Sequence, residues 1–286
     1  DNYISSLVLS QKAKELGFDQ FTDAELAELQ AQAQEEYDTQ LESIRTTYFA
    51  DSELEGDALT AEVTAYAKAN GYTLDYQLDT AKSNKISERL KASVTNTVTI
   101  TDDDLQAALD KEVASEKETF ASTPAAYGTR VNAGTTVYYT PAGYRTIRVI
   151  SVDKPTEEGA SSDEAKQQID ALYLRLTAGE AFETLTEDVK TYAICADSTT
   201  PEADVVAAAM QLTDALSYTE VLETEKAFYL AQLVEELPEH TATLEEARAT
   251  LYDATLTDAQ DTAYNETVQG WINAADVKTY TERLSD

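Results

Sequence analysis

The chain has 286 residues, of which 42% are hydrophobic, and its 54 acidic against 21 basic side chains give a formal net charge of −33. This length and hydrophobic fraction predict a folded protein with room for two domains and argue against a disordered chain. The charge argues against binding to nucleic acid or to an anionic membrane surface, because both would repel it.

Side chains that could hold a metal or perform covalent chemistry are scarce. Cys195 is the single cysteine and His240 the single histidine, so an intramolecular disulfide is excluded and a zinc site has almost no ligands. The run Asp102-Asp-Asp104 lacks the spacing of a calcium loop and suits the first turn of a helix. We therefore predict no metal and no cofactor, and we interpret His240 as an exposed structural residue.

No stretch approaches the roughly 20 consecutive apolar residues that a membrane-spanning helix needs. The chain begins at Asp1 rather than at methionine. We expect an export or lipoprotein signal ahead of it, which would allow a lipid anchor upstream. The sequence leaves the oligomeric state open.

Residues 1 to about 121 predict a series of helices with clear start and stop signals. Threonine caps several starts, and Thr22 with Glu25 forms a capping box, in which each side chain satisfies an unpaired backbone N–H of the other residue. Glycine or Asn-Gly ends others. The predicted helices run to Gly17, from Thr22 to about Arg45, from about Leu59 to Asn70, from Thr73 to Val94 and from Thr101 to Phe120.

The second half of the chain predicts a mixture of strands and helices. Residues 122–142 predict a loop or an inserted hairpin with its turn at Asn132-Ala-Gly134. The stretch Gly143–Val152 is rich in β-branched residues and is apolar on both faces apart from Arg148, which is typical of a central strand. The remaining predicted elements are a helix from about Ser162 that ends at Gly179, a helix over 180–190, a short helix over Pro201–Leu212, a strand over Ala227–Val234 that pairs with the first strand, a long helix opened by Thr243, and a short strand with Val277 and Tyr280.

Part of this pattern is similar to a known domain. Arg145, Ile150, Ala178, Gly179 and Phe182 fit the opening of a parvulin-type prolyl isomerase domain, whose first strand reads Arg-x-x-His-Ile-Leu and whose first helix ends in Ala-Gly-x-x-Phe. In this chain Arg148 stands where that pattern has histidine.

The flanking helices resemble the SurA/PrsA group of extracytoplasmic foldases. The resemblance rests on Gly71-Tyr-Thr-Leu, on Val98-Thr-Ile-Thr-Asp-Asp-Asp-Leu105 and on Thr243-Leu-Glu-Glu after Pro238. It implies an α+β fold in which helical N- and C-terminal segments form one lobe and a small parvulin-like α/β domain is inserted between them. The implied domains are residues 1–121, 122–237 and 238–286.

The resemblance also identifies the positions of a parvulin pocket, which pairs two histidines on neighbouring strands and holds a proline ring between phenylalanine and methionine. Arg148 and Tyr229 stand at the two histidine positions, and Val205 falls near the wall phenylalanine. Cys195 is the candidate for the pocket thiol, although a small core residue is the simpler interpretation. With these replacements no preorganised electrostatic site remains, so we predict the fold without the catalysis and assign no catalytic residue.

The resemblance therefore implies an extracytoplasmic chaperone that binds unfolded or partly folded client polypeptides. Such binding needs exposed apolar and aromatic surface, to which the 17 tyrosines could contribute, while acidic outer faces keep the protein soluble. Two alternatives stay open. One is an active prolyl isomerase with a pocket rebuilt from Arg148, Tyr229 and Cys195, and the other is a non-catalytic cell-surface interaction module.

Overall fold

The structure is a computed structural model that describes residues 2–157 and 160–275. The chain divides into two compact units, Asp1–Thr99 with Leu256–Asp286 and Ile100–Thr255. We call the first the helical unit and the second the sheet unit. The N- and C-terminal segments thus belong to one unit and the sheet to the other, and the predicted α+β class is confirmed.

The helical unit begins with four helices, and their starts follow the predicted caps. Thr22 accepts a hydrogen bond from the backbone N–H of Glu25, whose carboxylate accepts one from Thr22 N in return at 2.9 Å. Thr73 accepts from the N–H of Tyr76 at 3.1 Å. These bonds satisfy N–H groups that have no partner inside a helix. The helices are α1 (Asn2–Glu15), α2 (Asp23–Tyr48), α3 (Gly56–Ala69) and α4 (Leu74–Thr95).

The sheet unit contains the remaining helices and all strands among the described residues. Its elements are α5 (Asp102–Ser122), α6 (Ala125–Asn132), β1 (Tyr139–Thr140), β2 (Tyr144–Asp153), α7 (Asp163–Thr177), β3 (Lys190–Ile194), α8 (Ala203–Ala209), β4 (Leu222–Glu223), β5 (Ala227–Leu237), β6 (His240–Thr241) and the start of α9 (Leu244–Ala274). Helix α9 is opened by Thr243, which accepts from Glu246 N at 3.4 Å, and it continues past Leu256 into the helical unit.

The main sheet has four antiparallel strands in the order β3-β2-β5-β4. β2 and β5 pair from Tyr144 opposite Leu237 to Asp153 opposite Ala227. The two predicted strands are therefore adjacent, and the apolar strand over Gly143–Val152 lies in the middle of the sheet as expected.

Both faces of this sheet are covered by apolar side chains. Because side chains alternate along a strand, Ile147 and Val149 of β2 pack on one side with α8, while Ile150 packs on the other side with Ile169 of α7. β5 alternates in the same way, and Phe228 and Leu230 lie on the α7 side. We call the two sides the α8 face and the α7 face.

Helix α6 occupies the segment for which the sequence predicts a loop or hairpin, so that prediction is wrong. Phe120 and Tyr127 stack edge to face with centroids 5.6 Å apart. Asn132 then pairs with β3 as a neighbouring strand would: its side chain donates to Ala193 O at 3.2 Å and accepts from Ala193 N at 2.7 Å. These contacts stabilise α6 although Pro124 and Gly128 have low helix propensity.

The predicted helix over 180–190 is also wrong. Only Phe182–Thr184 form a single 3₁₀ turn, and Lys190 already begins β3. Phe182 is buried in the α7 face, so the chain follows the sheet instead of extending a helix. The predicted strand with Val277 and Tyr280 lies outside the described residues.

The compact units do not follow the three predicted domains 1–121, 122–237 and 238–286. Helix α5 groups with the sheet because Leu105, Leu109 and Val113 share a buried cluster with Ala247 and Leu251 at the start of α9. The domain assignment itself stays a prediction.

Candidate functional site

Arg148 lies in the middle of β2 on the α7 face. Its Nη1 donates to Glu183 Oε2 at 3.3 Å and to Gln232 Oε1 at 3.5 Å, and 28% of its side chain is exposed. A guanidinium keeps its proton in proteins, so it can donate hydrogen bonds but cannot act as a base. Here the Nη1 group is held by Glu183 and Gln232.

Gln232 of β5 is the residue directly opposite Arg148, and the sequence reasoning missed it. It is buried, and its Nε2 donates to Leu216 O at 3.1 Å. Leu216 has a φ of 67°, a backbone conformation that side chains other than glycine rarely adopt. Gln232 could have been found from the sequence by pairing the two predicted strands in antiparallel register, which places it opposite Arg148.

Tyr229 and Val205 belong to the packed core on the α8 face. Val205 is fully buried and Tyr229 is 8% exposed, and both contribute to one apolar cluster. Burial, assisted by the nearby Glu202 carboxylate, raises the pKa of Tyr229 to about 12, so its phenol stays neutral at physiological pH. Side chains of the core fill the space around both residues.

Arg148 and Tyr229 therefore lie on opposite faces of the sheet. The register places Arg148 opposite Gln232 and Tyr229 opposite Ser151, three positions further along β2. Three residues along a strand reverse the side on which a side chain points. The two positions that the resemblance assigns to the histidine pair do not face a common slot.

Cys195 is buried in a third environment, with Phe120, Tyr127 and Tyr144. Its backbone N–H donates to Ser198 Oγ at 3.0 Å, and that hydroxyl lies 3.6 Å from Cys195 Sγ. Burial raises the pKa of the neighbouring Tyr144, whose hydroxyl donates to Pro124 O. The structure does not bring the four pocket positions Arg148, Tyr229, Val205 and Cys195 together.

The other candidate residues have local structural roles. His240 lies 3.2 Å from Glu246 on the surface. Asp104 completes the Thr101 capping box, and Asp102 accepts from Arg248 at 2.7 Å, which lowers its pKa. Over residues 2–157 and 160–275, no group of three or more potential ligand side chains is arranged to hold a metal ion. None of the helices in those ranges is long and apolar enough to cross a membrane.

Comparisons with known proteins identify relatives only among solved structures, since no family model and no curated protein matches the chain. The foldase protein PrsA of Streptococcus pneumoniae is 17% identical over 88% of this chain and 82% of that one, with a TM-score of 0.24. PrsA of Bacillus subtilis is 16% identical, with 99% and 85% covered and a TM-score of 0.28. A structure from the pair PEB4 and Cj1289, SurA-like chaperones of Campylobacter jejuni, is 16% identical, with 85% and 95% covered and a TM-score of 0.38.

The chain resembles the PrsA and SurA-like chaperones. At identities below 25% and TM-scores below 0.5 the likeness says nothing about a site, so function has to be argued from the residues of this chain.

The two units expose different numbers of large apolar side chains. Among the described residues, the large apolar side chains that face solvent in the helical unit are Leu7, Leu16, Tyr48, Leu54, Tyr72, Leu74 and Tyr76, whereas the sheet unit exposes Leu174, Leu216 and Tyr252. Single exposed apolar residues are common on protein surfaces, whereas a contiguous group of them marks an interaction site.

The sheet unit also contains a cavity of about 300 Å³ beside α6. Its lining combines the small apolar residues Ala125 and Ala133 with hydroxyl and amide side chains such as Thr129, Asn132 and Ser198, and Tyr192 is the one aromatic side chain. No charged side chain lines it, and hydroxyl and amide groups of this kind give no strong preference for one ligand.

Proposed function

We propose that the protein is a peptide-binding folding chaperone of the PrsA/SurA type that works without prolyl isomerase catalysis. The observation that carries the proposal is the uneven exposure of large apolar side chains: seven of the ten among the described residues belong to the helical unit. An unfolded client exposes apolar segments. When these segments bind to the exposed apolar side chains of the helical unit, they cannot aggregate with one another. The acidic exterior keeps the loaded complex soluble.

The positions of the pocket residues support the second half of the proposal. A rotamase has to stabilise a twisted bond before proline with groups that converge on it, since the rotation barrier is about 18–20 kcal/mol. Arg148 lies on the α7 face, and Tyr229 and Val205 are core residues of the α8 face. The sheet would thus serve as a rigid body and not as a catalyst.

The proposal includes an extracytoplasmic location, with an export signal or lipid anchor ahead of the chain, and unfolded polypeptides as partners. Fractionation of cells that express the complete gene product tests the location: recovery in the cytosol alone would contradict it.

A light-scattering assay tests the client binding. We expect the protein to suppress the aggregation of thermally unfolding citrate synthase at near-stoichiometric ratio. Leu7→Ser with Tyr76→Ser should weaken the suppression, whereas the matched pair Leu174→Ser with Tyr252→Ser in the sheet unit should leave it unchanged. Absence of suppression by the unaltered protein would refute the chaperone proposal and favour an interaction module.

A coupled proline-peptide assay tests the missing catalysis. We expect the isomerisation rate to stay at background. A rate above background that disappears in Arg148→Ala, with the circular dichroism spectrum unchanged, would show that the protein is an active isomerase.

A further inference from the structure

Four aromatic residues gather where the C-terminal ends of α2 and α3 meet. The rings of Tyr48 and Tyr66 lie 5.0 Å apart, and Phe49 meets Tyr66 edge to face at 5.7 Å. Tyr72 lies just beyond α3, where its backbone N–H donates to Ala67 O at 2.9 Å. Burial raises the pKa of Tyr66, and the neighbouring hydroxyls of Tyr48 and Tyr72 raise it further. We call Tyr48, Phe49, Tyr66 and Tyr72 the tyrosine patch.

The patch is anchored on one side and open on the other. Phe49 and Tyr66 pack on the buried cluster of Ile44, Leu59 and Val63, which fixes their position. Tyr48 is 63% exposed and Tyr72 is 39% exposed. The α2–α3 end therefore presents aromatic faces to solvent at fixed positions, and presenting them requires no rearrangement of the helices.

The chain around the patch is strongly acidic. The exposed acids nearest to the rings along the chain are Asp51, two residues after Phe49, Glu62, one helical turn before Tyr66, and Asp75, three residues after Tyr72. We call these three carboxylates the acidic rim. Over the described ranges, none of them forms an ion pair within 4.0 Å. Residues 42 to 76 carry seven carboxylates and two cations, Arg45 and Lys68, and Arg45 is paired with Glu42 at 3.6 Å.

Aromatic rings and unpaired carboxylates together favour a ligand with basic side chains. A lysine or arginine side chain can place its cation over a tyrosine face and within reach of a carboxylate, and its aliphatic stem then covers apolar surface. An acidic segment would be repelled by the same rim. The proposed function already supplies a partner with accessible side chains, namely an unfolded polypeptide.

We propose that the tyrosine patch and its acidic rim bind extended client segments that combine lysine or arginine with apolar residues. This inference rests on the proposed chaperone function and adds a preference for one class of client segment. The site for this preference lies at the α2–α3 end of the helical unit.

Binding of three fluorescent peptides to the full-length protein tests the inference. The peptides share one unstructured, apolar-containing sequence and differ at four positions, which carry lysine, glutamine or glutamate. We expect the lysine peptide to bind most tightly and the glutamate peptide least. Tyr48→Ala with Tyr72→Ala should weaken lysine-peptide binding about tenfold, because two cation–π contacts are lost. Tyr48→Phe with Tyr72→Phe, which keeps the rings, should preserve it.

A second pair of variants distinguishes the effect of the acidic rim from the effect of the protein's overall negative charge. Asp51→Asn with Glu62→Gln should reduce the lysine preference, whereas Glu118→Gln with Glu187→Gln removes equal charge elsewhere and should retain it. Equal effects of the two pairs would overturn the inference, as would unchanged binding in the tyrosine-to-alanine variant. Either result with aggregation suppression intact leaves the chaperone proposal standing, whereas loss of all client binding by the unaltered protein refutes both.

Discussion

The two units use their apolar residues in opposite ways. The twelve largest fully buried side chains among the described residues all belong to the sheet unit. Among the described residues of the helical unit nine apolar residues are buried, and four of these are the alanines Ala13, Ala33, Ala67 and Ala81. The comparison shows that one chain can place its densest core in one unit and its exposed apolar surface in the other.

The architecture explains the difference. A sheet with helices on both faces offers two apolar layers, and clusters on the α8 and α7 faces fill them. Amphipathic helices that are lined by alanine bury a narrow stripe and leave larger side chains such as Tyr76 at the surface. The following experiments test this contrast.

The largest effect is expected in the core of the sheet. Phe228 is 1% exposed and packs on the α7 face, so Phe228→Ala should lower the free energy of unfolding by about 3–5 kcal/mol. Tyr76→Ala in the helical unit removes an exposed ring and should change it by less than about 0.5 kcal/mol. Urea unfolding followed by circular dichroism measures both, and similar losses in the two variants would remove the contrast.

Two glycines allow the same comparison with a single added methyl group. A Cβ on Gly128 of α6 would stand 2.5 Å from Ala193 O, so Gly128→Ala should cost about 1–3 kcal/mol. Gly270 of α9 has no such neighbour within 4 Å, so Gly270→Ala should stabilise the helix by about 0.5–1 kcal/mol. In thermal unfolding, Gly128→Ala should lower the midpoint temperature and Gly270→Ala should raise it. A stabilising Gly128→Ala would show that α6 does not lie tightly against β3.

Helix caps should not distinguish the units, because a cap acts locally. Thr22 and Thr101 each complete a capping box, so Thr22→Ala and Thr101→Ala should each cost about 1 kcal/mol. Denaturant titration of the two variants checks this. A much larger loss at either position would mean that the threonine has a role beyond its cap.

The last comparison concerns two glutamates whose pKa values move in opposite directions. In the helical unit the Thr22 backbone N–H and Arg89 lower the pKa of Glu25 from 4.5 to about 2. In the sheet unit burial raises the pKa of Glu116 above 4.5, although the backbone N–H groups of Tyr138 and Tyr139 donate to its carboxylate at 2.7 and 2.8 Å.

The pH dependence then follows from which state of the protein binds the proton more tightly. The folded protein binds the Glu25 proton more weakly than the unfolded chain, so this stability is present above pH 4.5 and is lost as the pH falls towards 2. It binds the Glu116 proton more tightly, so that contribution falls as the pH rises from 4.5 through the raised pKa. The stability of the unaltered protein relative to Glu25→Gln should rise with pH, and relative to Glu116→Gln it should fall. Parallel curves would contradict the assignment.

The sequence was sufficient where the signals are local. The capping box at Thr22, the helix cap at Thr101 and the central strand were predicted, because caps and β-branched runs act within a few residues. The pairing of the central strand with β5 was predicted as well. Helix α6 was not, because it depends on Asn132 and Gly128 meeting Ala193 some 61 positions away in the chain.

The site could be predicted only as a set of positions. A pattern match gave Arg148 and Tyr229 as neighbours, but the face on which each lies depends on the strand register, and a shift of one residue reverses it. The sequence did not predict the patch formed by Tyr48 and Tyr72, because tyrosines at helix ends are common and only the fold brings these two residues to Tyr66.

The pairing of Asn132 with Ala193 has a consequence for the outer edge of the sheet. An outer strand with unsatisfied amides is a template on which another polypeptide can nucleate fibrillar growth. By occupying both main-chain groups of Ala193, the amide of Asn132 closes that position to a guest strand, and β4 at the opposite margin is only two residues long. If the protein is the proposed chaperone, an extended client cannot add to the sheet as a further strand at Ala193.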